Sequence, residues 1–374
     1  MRTPATDKKI ALILQGGGAR GAYHVGVIKA IAEIAKVRRS PFQIVCGSSV
    51  GAINAASIAM NSVDFERGAA RLETLWRSLR SSSVYDVRAA PLLWKTSRLA
   101  MTLFLGHFGF RTNGGFLDYG PLEGLLKREF SQKHLQNAID AKALHALCIT
   151  ASSYSESASV TFFQGADSIQ PWARARRRGE RTEITPRHIL ASSALPFAFA
   201  PVYVDRRFFG DGALRATSPL SPAIHTGADR ILVVATRDGK VGPTTSANPN
   251  FGDIAGHALD ILFNDNFDSD VEMLHRINHT ISLVPDQAKQ KTTLRLIETI
   301  TLMPSKDVRE IAKAHLDELP MSMRLLMRSI GYSGGDARIE SYLLFEPSYI
   351  ANLIELGYSD TRARAQEIQR FLDM

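Results

Sequence analysis

The stretch Cys46-Gly47-Ser48-Ser49-Val50-Gly51-Ala52 holds the residues best suited to covalent chemistry. Gly47, Ser49 and Gly51 fill the pattern G-x-S-x-G. The apolar run Ile44 to Cys46 ahead of it reads as a buried strand, and the small residues Ala52 to Ala59 after it read as a helix. Strand, sharp turn, helix is the context of a nucleophile elbow, in which a strained turn pushes a serine hydroxyl clear of the sheet. The glycines let strand and helix pass close together, and their spacing makes Ser49 the central residue, not Ser48.

Such a serine needs donors for a developing oxyanion and a base. Gly16-Gly17-Gly18-Ala19-Arg20-Gly21 can supply the donors, because glycines leave backbone N–H groups unshielded and the helix that follows points its positive end the same way. Arg20 would add charge there or anchor the loop. Gly16, Gly18 and Gly21 also match the dinucleotide fingerprint G-x-G-x-x-G, but that reading needs an acidic residue at the end of the second strand, where Val45-Cys46-Gly47-Ser48-Ser49 stands instead. For the base, the order Ser…Asp…His is open through Asp211 and His257. The chain has too few strands before the elbow for an α/β-hydrolase, and none of its 10 histidines sits in a motif that needs one. Asp211 is wedged between Gly210 and Gly212 after two short strand-like runs. Alone it could serve as general base to the serine; an ordinary turn aspartate is the plainer use of an Asp-Gly pair.

These residues need elements to hold them. Lys8 to Gln15 reads as a first strand buried on both faces, and Ala22 to Lys36 as a helix with Val25, Ile28, Ala32 and Ala35 at helical spacing. A strand over Phe42 to Cys46 then leads into the elbow. In a parallel sheet, two turns that each follow a strand lie at the same edge, so both can face one pocket. A helix is expected over Asp64 to Arg80 and another from Pro121. Leu144 to Ala151 and Ser159 to Phe163 read as a strand pair. His188 to Pro196 reads as a helix, Pro201 to Asp205 and Arg206 to Phe209 as short strands, and Ala228 to Thr236 as a buried strand. Gly239 to Asn250 is the best linker candidate. A helix from Ile254 to Asn266, extending to about Ile277, a strand over Thr280 to Val284, and helices over Leu294 to Leu302, Val308 to Leu319 and Met321 to Ile330 complete the expected order. Two stretches are open to both a structural and a functional use. Pro91 to Phe110, rich in Trp, Phe and Leu, is a packed helix or an interfacial lid. Arg174 to Arg181 is a solvated loop or a contact for an anionic head group.

The totals set limits. With 374 residues, 45% hydrophobic and 22% charged, the chain can bury a sizeable core, and its net charge of +8 suits an anionic partner without requiring one. Cys46 and Cys148 fall in expected buried strands and read as small apolar residues. No run is apolar enough for a transmembrane helix, no zinc spacing is present, and the polar N-terminus does not resemble a signal peptide, so a cytoplasmic location is expected.

Taken together, Gly-Gly-Gly-Ala-Arg-Gly at 16–21, Gly-Ser-Ser-Val-Gly at 47–51, Ala191-Ser192-Ser193-Ala194-Leu195-Pro196 and Asp-Gly-Ala at 211–213 resemble the patatin-like phospholipases. The resemblance covers roughly residues 8 to 285, with the motif core at about 11–225. It implies a three-layer α/β/α fold with a mostly parallel central sheet, followed by a mainly helical C-terminal extension at 286–374. It also implies a Ser–Asp dyad with no catalytic histidine. By motif match Ser49 is the nucleophile and Asp211 the base. The Gly16, Gly17, Gly18, Arg20 and Gly21 loop forms the oxyanion hole, chiefly through the amides of Gly17 and Gly18. Gly47 and Gly51 flank the elbow, and Gly212 and Ala213 complete the aspartate motif. The implied reaction is hydrolysis of an acyl ester of a phospholipid or lysophospholipid through an acyl-serine, without metal or organic cofactor and without nucleic acid. Contact with an anionic membrane at its inner surface would be peripheral. Gln15 stands where the family often has Asp or Ser, which bears on loop anchoring. The extension could cover the site, dock a partner or make a homodimer. The rival readings are a non-catalytic lipid-binding or regulatory module on the same fold, and a dinucleotide-binding oxidoreductase.

Overall fold

A computed structural model describes residues 8–88, 115–237, 251–289, 291–329 and 337–373. The first strand, β1 (Ile10–Leu14), is an unbroken apolar run with every residue buried, the pattern of a strand covered on both faces. A 3₁₀ turn at Gly18–Gly21 leads into α1 (Ala22–Ala35). Next, β2 (Ile44–Ser48) lies parallel to β1 with Gly47 opposite Leu14. The elbow runs straight into α2 (Val50–Met60). Then comes α3 (Phe65–Ser78), whose N-cap Asp64 accepts the Arg67 amide. The two glycine-bearing turns therefore leave neighbouring parallel strands at one edge.

After β3 (Gly115–Leu117), β4 (Ala146–Ser153) adds in parallel beside β2, and β5 (Ala158–Gly165) turns back antiparallel to β4. Residues 174–181, read as a solvated loop or a contact for an anionic head group, form most of a hairpin of β6 (Trp172–Arg174) and β7 (Arg177–Arg181), with β7 parallel to β5, so they are not a loop. Backbone pairing holds the run extended while its charges stay at the rim of the sheet, where charged side chains also discourage pairing with another chain. The strand β8 (Phe197–Phe199) pairs with β3 in a separate small sheet. A hairpin of β9 (Val202–Val204) and β10 (Arg207–Gly210) follows, and β10 lies antiparallel to the end of β4, placing Gly210 opposite Ser152. On the other side of β1, β11 (Arg230–Val234) and β12 (Glu298–Leu302) add in parallel, giving the order β12-β11-β1-β2-β4-β5-β7-β6.

Two expected elements are corrected here. Residues 298–302 belong to a strand, not to a helix over Leu294 to Leu302: Ile300 and Leu302 are buried in alternation on the sheet. Thr280 to Val284 is not a strand, because the helix Asn266–Leu283 runs through it, burying Phe267, Leu274 and Ile281 at seven-residue spacing. The stretch Pro91 to Phe110 and the linker candidate Gly239 to Asn250 lie outside the described residues.

Helices cover both faces of the sheet. Leu12, Leu14 and Val45 pack under α1, α2 and α3. On the opposite face Ile13, Cys46 and Cys148 meet Ala223 and the helix bearing Phe267 and Leu274. Cys46 and Cys148 face each other in register as free, buried thiols, and burial pushes the Cys46 thiol up. Beyond residue 286 the chain supplies β12 and then the helix Pro347–Ala363, which packs along α1 and buries Tyr349, Ile350, Leu353 and Ile354 in the same core. Among the described residues no helix is long and apolar enough to cross a membrane.

Candidate active site

Ser49 sits between β2 and α2 at φ 54° and ψ −131°, a left-handed conformation costly for a residue with a side chain. The glycines around it explain how the turn closes. A Cβ on Gly47 would lie 2.2 Å from the carbonyl oxygen of Gly51, and one on Gly51 would lie 2.0 Å from that of Leu14. Both values are far inside van der Waals contact, so any side chain at either position would force strand and helix apart.

The serines of Ala191-Ser192-Ser193-Ala194 hold this strained turn. The Ser49 amide donates to Ser192 Oγ at 3.0 Å, and that hydroxyl donates to the Thr150 carbonyl at 2.6 Å. Ser193 Oγ donates to the Ser49 carbonyl at 3.1 Å. The same segment fixes the aspartate, since the Asp211 amide donates to the Ala194 carbonyl at 2.8 Å. One short helix end thus pins both motif residues, a role its sequence did not reveal.

Asp211 follows β10 and caps the 3₁₀ turn Gly212–Arg215, its Oδ1 accepting the Ala213 amide at 2.9 Å. It is fully buried. Its Oδ2 has no partner of complete hydrogen-bond geometry, but the Ser49 side chain is close enough to stabilise the carboxylate. Burial pushes the Asp211 carboxyl up to about 7, and the Ser49 hydroxyl and the Ala213 N–H offset only part of that rise. Among the described residues no cation and no histidine acts on this carboxyl. His257, the partner a triad would use, is exposed on the helix Phe251–Asp260.

The glycine loop lies against the elbow. A Cβ on Gly16 would lie 3.0 Å from that of Ser49. Gly17 (φ 155°) and Gly18 (φ 55°) adopt conformations suited to glycine. Side chains there would strike Thr236 Oγ1 at 2.5 Å and the Tyr342 carbonyl oxygen at 2.2 Å. Gln15 does the anchoring that its unusual type put in question: its Oε1 accepts the Thr236 amide at 3.0 Å, and its Nε2 donates to the Phe263 carbonyl. Thr236 Oγ1 in turn donates to the Gly16 carbonyl at 2.7 Å.

Arg20 takes the anchoring use. Its buried guanidinium donates to Ser341 Oγ at 2.7 and 2.9 Å and to Tyr342 Oη at 3.0 Å, and lies 3.4 Å from Asp260. Tyr342 Oη also donates to Asp260 at 2.8 Å. The loop is thereby tied to the segment Arg338–Tyr342, for which nothing in the sequence signalled a part in the site. Phe263 is a second such residue. It sits in a π-helical turn, Ile261–Asp265, a distortion often found at functional sites. Its ring lies over Gly16 and stacks on Tyr342 at 5.3 Å.

Two pockets share Phe263 as a wall. One opens at Ser49 and Gly18 and is lined by apolar side chains, including Ile53, Trp76, Leu125, Phe199 and Phe345. The other is bounded by Gly16, Gly47, Ser48 and Ala213 and includes Arg177, Arg178 and Arg215. No group of three or more His, Cys, Asp or Glu residues suited to a metal ion occurs among the described residues.

A family model described as patatin-like phospholipase matches residues 12–224. An uncharacterized NTE family protein of Mycobacterium tuberculosis is 26% identical over 247 residues, covering 66% of this chain and 54% of the relative. A triacylglycerol lipase of Schizosaccharomyces pombe is 28% identical over 203 residues, covering 53% of this chain and 35% of the relative. This chain thus spans about half the length, or less, of these curated relatives. Among solved structures, the type III effector ExoU aligns over 97% of this chain and 53% of its own, at 16% identity and a TM-score of 0.40.

Proposed function

Because the chain belongs to the patatin-like phospholipase family, we propose that it is a lipid acyl-ester hydrolase working through a Ser49–Asp211 dyad. The observation that carries this reading is the pairing of a strained elbow serine with a fully buried carboxyl whose pKa, about 7, suits a general base at neutral pH.

In the first step Asp211 takes the Ser49 proton as Oγ attacks the ester carbonyl. The carbonyl oxygen becomes an oxyanion facing the amides of Gly17 and Gly18. The C–O bond to the alcohol then breaks, and the alcohol leaves with the proton that Asp211 held. In the second step Asp211 deprotonates a water, which attacks the acyl-serine. Collapse of that intermediate frees the acid and returns the proton to Ser49. A lost oxyanion donor costs about 2.7–4 kcal/mol in comparable sites, which is why the anchoring of the loop through Gln15, Thr236 and Arg20 matters to rate. The apolar pocket at Ser49 is the proposed acyl site.

The substrate is a phospholipid or lysophospholipid on this reading, and the enzyme meets it in the cytoplasm as a peripheral protein at an anionic membrane. Exposed aromatic residues near the site support the membrane part: Phe197 is 78% exposed at the start of β8, while Tyr203 and Phe208 are half exposed on the hairpin that delivers Asp211.

The test is ester hydrolysis by Ser49→Ala and Asp211→Asn, each checked for native circular dichroism. Both should fall to background while remaining folded. Near-normal turnover by either folded variant contradicts the dyad; a comparable loss in His257→Ala as well would point to a triad.

A further inference from the structure

The pocket on the far side of Phe263 from the acyl site contains three arginines and, among the described residues, no carboxylate. Arg178 is neutralised: it pairs with Glu156 and lies 2.5 Å from Glu180. Arg177 and Arg215 are different. Each is half-buried, and neither makes an ion pair among the described residues. Asp270, half-buried and within the field of Arg177, accepts from the Ser218 hydroxyl at 3.0 Å and the Leu220 amide at 2.9 Å and makes no ion pair with Arg177. After burial, the positive fields of Arg174, Arg177 and Arg295 push the His225 imidazole down. Two half-buried arginines lining one cleft bring like charge to it, and an anion bound there offsets that charge. The planar donor fork of arginine matches phosphate oxygens two at a time.

The position of this cleft gives the charge a use. Its wall is built from Gly16, Gly47, Ser48 and Ala213, the residues that flank the nucleophile and the base. In a glycerophospholipid the phosphate lies only a few bonds from the acyl ester. Resting on the Ser–Asp reading for the ester-cleaving step, we propose that Arg177 and Arg215 form a phosphate subsite that holds the substrate's anionic head group while the acyl chain occupies the apolar pocket. The pair then sets specificity, favouring phosphate-bearing esters over neutral glycerides.

The experiment uses the full chain and soluble short-chain substrates, so that binding to a lipid surface does not enter. Dihexanoyl phosphatidylglycerol and dihexanoylglycerol are compared below their micelle concentrations. The ratio of kcat/KM between them should favour the phospholipid in the wild type and fall at least tenfold in Arg177→Gln/Arg215→Gln, mainly through KM. An unchanged ratio, or an equal loss on both substrates, overturns the proposal. A second readout does not depend on hydrolysis. Trp172 lines the same pocket, so its fluorescence should respond to glycerol 3-phosphate in the wild type and in Ser49→Ala, but not in the double arginine variant. If that response occurs in an enzyme with no esterase activity, the subsite stands and the dyad reading falls. If inorganic phosphate binds as tightly as glycerol 3-phosphate and leaves ester kinetics unchanged, the cleft is a free-phosphate site and the head-group assignment is wrong. No response to either anion also overturns it.

Discussion

Removing the charge of Asp211 should make the protein more stable at neutral and alkaline pH, and progressively less so toward acid. The carboxyl is fully buried with no cation beside it among the described residues, and burial lifts it from an ordinary 3.8 to about 7. The folded state therefore holds this proton more tightly than the unfolded chain does. Below about pH 4 both states are protonated and the group costs nothing. Between pH 4 and 7 the unfolded chain has released its proton while the folded protein keeps it, so stability falls as pH rises. Above pH 7 the full cost is present. At about 1.4 kcal/mol for each unit of difference, the ceiling is about 4 kcal/mol. Asp211→Asn stays neutral throughout and keeps an oxygen for the Ala213 amide. Urea unfolding of both proteins from pH 4 to 9 should show the variant gaining on the wild type by up to about 4 kcal/mol between pH 4 and 8, then levelling off. A stability difference that ignores pH, or a variant that loses ground as pH rises, refutes the assignment of a buried, uncompensated carboxyl.

The same titration should govern turnover: kcat/KM should rise with slope one through an apparent pKa near 7, because only the carboxylate can accept the serine proton; a flat profile between pH 5 and 9 would contradict it. Ser192→Ala removes the acceptor of the Ser49 amide and the donor to Thr150. A buried group left unsatisfied costs about 1–3 kcal/mol, and steady-state kinetics should show it as a loss in kcat of tenfold or more with KM little changed. Ile53→Trp fills part of the apolar pocket at Ser49. Excluding two methylenes at about 0.8 kcal/mol each should cut the preference for longer over shorter acyl esters by about 15-fold, measured as a ratio of kcat/KM values along a nitrophenyl ester series.

Much of the candidate site's geometry was legible because its motifs are local. The elbow, the glycine loop and the Asp-Gly-Ala turn each advertise themselves through glycines that the backbone requires, and their strands are long apolar runs. What could not be read was long-range. Arg20 meets Ser341 across 321 positions of sequence, and neither Ser341 nor Tyr342 has a neighbour that marks it. Phe263 gains its place from a π-helical turn, which has no residue signature. The misread elements failed for a shared reason, competing periodicities. In Thr280 to Val284 the apolar Ile281 and Leu283 alternate like a strand, yet the helix from Asn266 continues through them because Ile281 completes its buried stripe. Glu298 to Leu302 alternates in fact, but the apolar Leu294, Leu296 and Ile297 ahead of it blur the pattern into a helical one. In the arginine run, charge suggested solvent, whereas backbone pairing with β5 keeps the run extended at the rim.

The most direct test of the central claim is labelling by a fluorophosphonate probe with mapping of the modified peptide. The wild type should take up one probe per chain, on Ser49. Labelling should be absent in Ser49→Ala and slowed at least a hundredfold in Asp211→Asn while the fold persists. Modification of a different residue, or undiminished labelling of folded Asp211→Asn, would contradict the Ser49–Asp211 dyad.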